Sequence, residues 1–205
     1  NVTIPFKELI IKKIDKLDIH SKKIGAVNCI YRCNNNWCGS NTDWEGFIRS
    51  VKQIYKKKIN KKALVFGYGG AAKAIIYSLK KSGFKEIKIY NRSLEKIKNI
   101  NFDKEIKILN AKDIEQSINK TDIVINTTPI NIIKPFVKKK DQKKIFAFDA
   151  VYNPIETDFL SHFVKKKRIY GLSMLIYQAA PCFKTWFGFK PRVDEGLLSL
   201  LKEKI

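Results

Sequence analysis

Gly67-x-Gly69-x-x-Ala72 sits after an apolar run and before a helical pattern, where three small residues can do one piece of chemistry. Gly67 permits a tight turn, Gly69 lets the backbone approach a pyrophosphate, and Ala72 lets helix and strand pack closely; the fingerprint tolerates Ala at its third position. The first-turn amides, Gly70 and Ala71 among them, and the positive helix end then receive the anion. In isolation such a triplet can be a mere turn. Between a strand and a helix it reads as a dinucleotide cradle.

The end of the second strand chooses between nucleotides. An NAD site usually has Asp or Glu there, accepting from the ribose 2′-hydroxyl. Here the residues are Asn91-Arg92-Ser93, with Lys96 one turn on. A carboxylate would repel a 2′-phosphate, whereas Arg92 can pair with it in a forked geometry. Ser93 can cap the following helix and donate to the same phosphate. An ordinary exposed arginine at a helix start would look alike, but its place after the second strand of this unit favours NADP.

The elements that must position these residues follow from periodicity. Strands are expected at 63–66, 86–90, 105–109, 122–126 and 144–150, with helices at 71–81 (closed by Gly83), 93–100 and 113–118. Strands alternating with helices imply parallel crossovers, hence an α/β, Rossmann-type doubly wound parallel sheet. The flanks differ. Residues 25–32, the polar turn Asn34-Asn35-Asn36 and residues 37–42 read as a hairpin, out of place inside a wound parallel sheet. The tail 173–205 is helical, broken around 188–191. The expected organisation is therefore a remainder of a smaller, incomplete α/β domain at 1–43, an inserted nucleotide domain at 44–170, and C-terminal helices at 171–205 returning to the first part.

Composition bounds the rest. The chain has 205 residues, 44% hydrophobic and 12% aromatic, which argues for a globular protein. No apolar run is long enough to span a bilayer and no signal peptide opens the chain, so a cytoplasmic protein without a membrane partner is expected. Position 1 is Asn, inside what reads as a motif, so a late start is expected. The formal charge of +22 invites a nucleic-acid reading, but the lysines are spread along the whole chain rather than gathered on one face. No nucleic-acid partner is expected; the basic field suits anionic small molecules. Cys29, Cys33, Cys38 and Cys182 lack a paired C-x-x-C knuckle and lie far in sequence from His20 and His162. Free thiols are expected, with neither metal nor disulfide framework.

Eight segments together resemble the shikimate dehydrogenase family. They are Asn1-Val-Thr-Ile-Pro-Phe-Lys-Glu8, Gly25-Ala-Val-Asn28, Asn41-Thr-Asp43, Gly67-Tyr-Gly-Gly-Ala71, Asn91-Arg-Ser93, Asn126-Thr-Thr-Pro129, Asp149-Ala-Val-Tyr-Asn-Pro154 and Gly171-Leu-Ser-Met-Leu-Ile-Tyr-Gln178. Each is modest evidence; eight in order are specific. The resemblance implies reversible NADPH-dependent reduction of 3-dehydroshikimate to shikimate, on the chorismate route to aromatic amino acids, by a monomer or homodimer. It implies Lys7 and Asp43 as the catalytic pair. Hydride delivery to a ketone builds negative charge on oxygen, so a nearby ammonium that stabilises it and can donate a proton lowers the barrier. It also implies that Asn1, Thr3, Asn28 and Gln178 hold ring hydroxyls and that Tyr152 contacts substrate. Thr127 and Thr128 would line the cofactor, Gly171 would approach the nicotinamide through its backbone, and Met174 would pack nearby.

Four departures stand out. Tyr68 replaces a small residue in the glycine loop, Ser173 stands where Gly is common, and Pro181 is expected to interrupt the helix carrying Gln178. The family's N-terminal strands, with a pair of serines that bind the substrate carboxylate, have no counterpart in these 205 residues. The chain is therefore expected to bind cofactor better than substrate. Two rival readings are an NAD-preferring quinate/shikimate dehydrogenase and a catalytically incompetent NADP-binding fragment.

Overall fold

The computed structural model describes residues 1–52, 54–55, 61–98, 100, 102–133, 136 and 144–204, apart from the side chains of 96, 202 and 204. The chain opens with α1 (Phe6–Leu9), β1 (Lys16–Leu17), α2 (Ile19–Ile24) and the hairpin strands β2 (Cys29–Cys33) and β3 (Asn36–Ser40). Then α3 (Asp43–Lys52) leads to β4 (Lys62–Phe66), α4 (Gly70–Lys81), β5 (Glu86–Tyr90) and β6 (Ile106–Ile108). They are followed by α5 (Ile114–Asn119), β7 (Ile123–Asn126), β8 (Phe146–Asp149), α6 (Asp158–Ser161) and β9 (Arg168–Tyr170). The chain closes with α7 (Gly171–Phe187) and α8 (Glu195–Lys204).

The larger sheet has six strands in the order β6-β5-β4-β7-β8-β9, all paired parallel. The order reverses between β4 and β7, and in such sheets ligands bind in the crevice outside the carboxyl ends at that reversal. Its central strands β4 and β7 are nearly unbroken apolar runs because both faces are covered, whereas β5, Glu-Ile-Lys-Ile-Tyr, alternates. On β4, Ala63 and Val65 join one buried cluster with Phe47, Ile75 and Phe148, while Leu64 and Phe66 join another with Ile114, Ile118 and Phe159.

The second sheet is small: β3 pairs antiparallel with β2, as the hairpin reading expects, and parallel with β1. Asn34 takes the left-handed turn conformation at φ 50°. The hairpin also corrects the free-thiol expectation at two positions. It brings the α-carbons of Cys33 and Cys38 to 6.0 Å and the pair is joined as a disulfide, while Cys29 and Cys182 remain free and buried. Spacing alone did not show that the turn folds the one cysteine back onto the other.

Other expectations are also corrected. Among the described residues of 93–100 the expected helix is replaced by a 3-10 turn at Leu94–Lys96, followed by fully buried Ile97, and Ser93 makes no side-chain cap. Without a capping side chain at Ser93, the first N–H groups of a longer helix would lack an acceptor. Pro181 does not interrupt α7, which runs 17 residues through it. Proline removes one N–H, and the buried residues Tyr177, Gln178, Ala180 and Cys182 hold the helix on both sides of it. The helix ends at Gly188, which caps it in the left-handed conformation at φ 80°.

The two sheets are joined mainly by α3 against α7, and the crossing is set at Gly46. A Cβ there would lie 2.7 Å from the Met174 carbonyl and 2.9 Å from the Gln178 backbone nitrogen. Neither neighbour is a flexible side-chain end, so the helices would have to separate. Gly46→Ala is expected to cost about 2 kcal/mol and to lower Tm by roughly 4–8 °C in thermal denaturation. An unchanged Tm would show that the crossing is not tight.

Candidate active site

The N-terminal segment is laid along residues 26–28 by two backbone bonds: Val2 N–H donates to the Asn28 carbonyl (2.7 Å) and Val27 N–H to the Lys7 carbonyl (2.8 Å). This carries Lys7 to the start of α3. There its ammonium donates to Asp43 Oδ2 at 2.6 Å, although 36 positions separate the two residues in the chain. Asp43 is 3% exposed and held on every side. Its N–H donates to Asn41 Oδ1 (3.0 Å), Asn41 Nδ2 donates to the Ala26 carbonyl (2.9 Å), and Asn28 Nδ2 reaches Asp43 Oδ1 (3.2 Å). A buried carboxylate needs such partners, because an unpaired one is costly to desolvate.

Asn28 joins this pair to α7. Its Nδ2 donates to Gln178 Oε1 (2.8 Å) and Thr42 Oγ1 (2.8 Å), and its Oδ1 accepts from Thr42 N–H (2.7 Å). Thr42 Oγ1 in turn donates to the Gln178 carbonyl (2.9 Å) and contacts Cys182 Sγ (3.1 Å). Asn1 Nδ2 completes the rim, pointing to Gln178 Oε1 at 3.4 Å and Cys182 Sγ at 3.7 Å. The sequence reading missed Thr42, although it lies inside the Asn41-Thr-Asp43 segment. Its function is to hold its neighbours, which residue type alone does not reveal. The structure thus brings Asn1, Lys7, Asn28, Asp43 and Gln178 together. Thr3 is exposed on the same N-terminal segment, and Tyr152 is 42% exposed beyond β8.

The phosphate loop forms the facing wall. Gly67 has φ 99°, a conformation for glycine, and its N–H donates to the Tyr90 carbonyl at 2.8 Å. A Cβ at Gly69 would meet nothing within 4 Å, so the loop is open above that residue. Gly70 begins α4, and the first-turn N–H groups of a helix lack intrahelical acceptors. The cradle therefore fits a dinucleotide pyrophosphate. A Cβ on Gly70 would lie 2.9 Å from Lys7 Cβ, so the stem of Lys7 rests directly on the start of the nucleotide helix.

Tyr68 does not crowd the loop; its ring packs edge-on against Phe102 (5.4 Å between centroids) with the Lys73 ammonium 5.4 Å from its face. Lys73 also pairs with Glu8, which adds an ion pair to the contact between α1 and α4. Beside the loop, Asn91 Nδ2 donates to the Ser93 carbonyl (2.9 Å), while Arg92 and Ser93 are exposed. The side chain of Lys96 lies outside the described residues. Thr127 Oγ1 donates to the Phe66 carbonyl at 2.7 Å, and Thr128 Oγ1 to Asn126 Oδ1 at 2.7 Å. Gly171 is buried at the start of α7, with Ser173 Oγ donating to the Tyr170 carbonyl (2.7 Å), and Met174 lies within the core cluster of Phe47, Phe148 and Ile169. Among the described residues no helix is long and apolar enough to cross a membrane.

Comparisons with known proteins bear on the whole of this arrangement. A family model described as Shikimate / quinate 5-dehydrogenase matches residues 49–152, and one described as Shikimate dehydrogenase substrate binding domain matches residues 1–30. The shikimate dehydrogenase (NADP(+)) of Dictyoglomus turgidum is 41% identical over 92% of this chain and 72% of its own length. The crystal structure of shikimate dehydrogenase from Aquifex aeolicus has a TM-score of 0.81 at 34% identity, covering 94% of this chain and 73% of that one. The enzyme from Thermus thermophilus, solved with NADP(H) and shikimate, has a TM-score of 0.79 at 27% identity over 94% of this chain and 74% of its own. Sequence and backbone agree across both sheets, and the chain belongs to the shikimate dehydrogenase family.

Proposed function

We propose that the cleft between the two sheets carries the reversible NADPH-dependent reduction of 3-dehydroshikimate to shikimate. The observation that carries this reading is the 2.6 Å contact of the Lys7 ammonium with Asp43, seated against the first turn of the nucleotide helix. We divide the chain accordingly, with 44–170 as the nucleotide domain and 1–43 with 171–205 as the substrate side. It works on a small-molecule substrate as a monomer or homodimer.

The chemistry divides simply. When bound, NADPH supplies the hydride. Gly67, Gly69, Gly70 and Ala71 hold its pyrophosphate, Asn91, Arg92, Ser93 and Lys96 its 2′-phosphate, and Thr127, Thr128, Gly171 and Met174 the rest of the nucleotide. Lys7 donates a proton to the ketone oxygen as negative charge builds there, and takes it back in the reverse direction. Asp43 aims that ammonium through their 2.6 Å contact, and accepts from a ring hydroxyl. Asn1, Thr3, Gln178 and Tyr152 complete the polyol site, with Asn28 behind them. A site built around hydroxyl pairs rejects analogues that leave those groups unpaired.

Two substitutions test the reading. Lys7→Met is expected to lower kcat for shikimate oxidation by about 10²–10⁴-fold while NADPH binding stays intact by calorimetry; wild-type turnover in this variant ends the assignment of Lys7. Arg92→Ala is expected to weaken NADPH roughly tenfold or more and leave NADH unchanged. Equal losses with both nucleotides would instead favour the NAD-preferring quinate/shikimate reading.

A further inference from the structure

Asp149 ends β8 with 1% exposure, and three donors converge on its carboxylate. Oδ1 accepts from Asn126 Nδ2 (3.0 Å) and from Val151 N–H (3.0 Å), and Oδ2 accepts from Thr157 Oγ1 (2.7 Å). Each donor belongs to a different segment at the carboxyl edge of the sheet. Asn126 ends β7 and organises the turn after it: Nδ2 also donates to the Thr128 carbonyl (3.0 Å), while Oδ1 accepts from Thr128 N–H (3.1 Å) and Thr128 Oγ1 (2.7 Å). Val151 leads directly into Tyr152. Thr157 caps α6, accepting from Leu160 N–H at 3.1 Å.

No cation appears among these partners. Burial pushes the Asp149 carboxyl above the usual carboxylate range, against the pull of its hydrogen bonds. An acidic side chain is thus kept where ionisation is costly, and what it contributes there is acceptor capacity at two oxygens for three donors. An apolar residue could fill the same volume without gathering any of them.

We propose that Asp149 is a positioning residue of the active site. It holds the cofactor-facing turn at Asn126–Thr128 and the substrate-facing segment at Val151–Tyr152 in one register, and touches neither ligand itself. This rests on the nucleotide reading above.

The test is NADPH affinity of the full chain, by fluorescence of the reduced nucleotide, with Tm measured in parallel. Asp149→Ala frees the turn and is expected to weaken NADPH roughly tenfold or more at a temperature where the variant stays folded. Asp149→Asn keeps Oδ1 for Asn126 and Val151 and lets Thr157 Oγ1 accept instead of donate, so affinity is expected to recover to within about threefold of wild type. Should Asp149→Ala not fold, Asp149→Leu, which fills the volume but accepts from neither Asn126 nor Val151, must show the same weakening. Wild-type affinity in whichever of these two variants is folded, or equal impairment of Asp149→Ala and Asp149→Asn, overturns the proposal. A wild-type chain that takes up no NADPH would sink the nucleotide reading instead, and the two failures are therefore distinct.

Discussion

The Lys7–Asp43 ion pair is the constraint around which the rest of the site is arranged. Asp43 has only 4% of its side chain exposed and Lys7 17%, so the pair lies where the loss of either partner leaves the other buried and uncompensated. The fold meets this with local bonds rather than bulk. The α1 segment is pinned to residues 26–28, Asn41 fixes the Asp43 backbone, and Asn28 takes the second carboxylate oxygen. Because the stem of Lys7 also rests on Gly70, the ammonium is positioned by both sheets at once. Any change in the angle between α1 and α4 therefore moves the Lys7 ammonium relative to the glycine loop. The Glu8–Lys73 bond one residue on restrains that same angle.

A second constraint works at the opposite edge. The turn after β7 and the segment after β8 both depend on the Asp149 carboxylate, and α7 starts against the carbonyls of residues 149–151. From there α7 returns to place Gln178 beside Asn28. The path from the nucleotide turn to the substrate rim thus runs through one buried acid and one helix. Gly46 sets how closely that helix approaches α3, whose first residue is Asp43. If the proposed site is the reacting one, its distances are set in part by packing remote from Lys7 and Asp43, where a displacement of about 1 Å can cost on the order of 10²-fold in rate.

Much of the fold is legible in the sequence for a simple reason. Strands covered on both faces carry apolar residues at their buried positions, so 63–66 and the apolar cores of 86–90 and 122–126 stand out, and Gly67 and Gly69 mark the phosphate turn between strand and helix. What escaped notice was short or masked. Ile169 is the one buried residue of β9, and the lysine run before it hides the strand. The helix α2 is brief, although Asp18 caps it from Ser21 N–H at 2.6 Å and Gly25 closes it at φ 71°; both signals were available. The site was less legible than the fold. Glycines and arginine follow from motif mechanics, but nothing in spacing joins Lys7 to Asp43; only the family resemblance paired them. Thr42 and Asp149 went unassigned because their contribution is which groups they hold, and that appears only once three dimensions bring the donors together.

The same geometry refines how hydroxyls are recognised. Asn28 is fully buried and its amide is already spent: Oδ1 accepts from Thr42 N–H, and two N–H groups are shared among Thr42 Oγ1, Gln178 Oε1 and Asp43 Oδ1. Gln178 Oε1 is also approached by Asn1 Nδ2 (3.4 Å) and Thr42 Oγ1 (3.5 Å), whereas Asp43 Oδ1 takes the longest of the Asn28 bonds (3.2 Å) and keeps acceptor capacity towards the rim. In the function proposed above, a ring hydroxyl that donates to Asp43 would use that capacity. An analogue lacking that hydroxyl leaves a buried acceptor short, which costs on the order of 1–3 kcal/mol. Under the proposed function, selectivity for the polyol would then arise from that acceptor capacity, with Asn28 orienting the groups meant to touch substrate and Asp43 serving both the hydroxyl and the Lys7 ammonium.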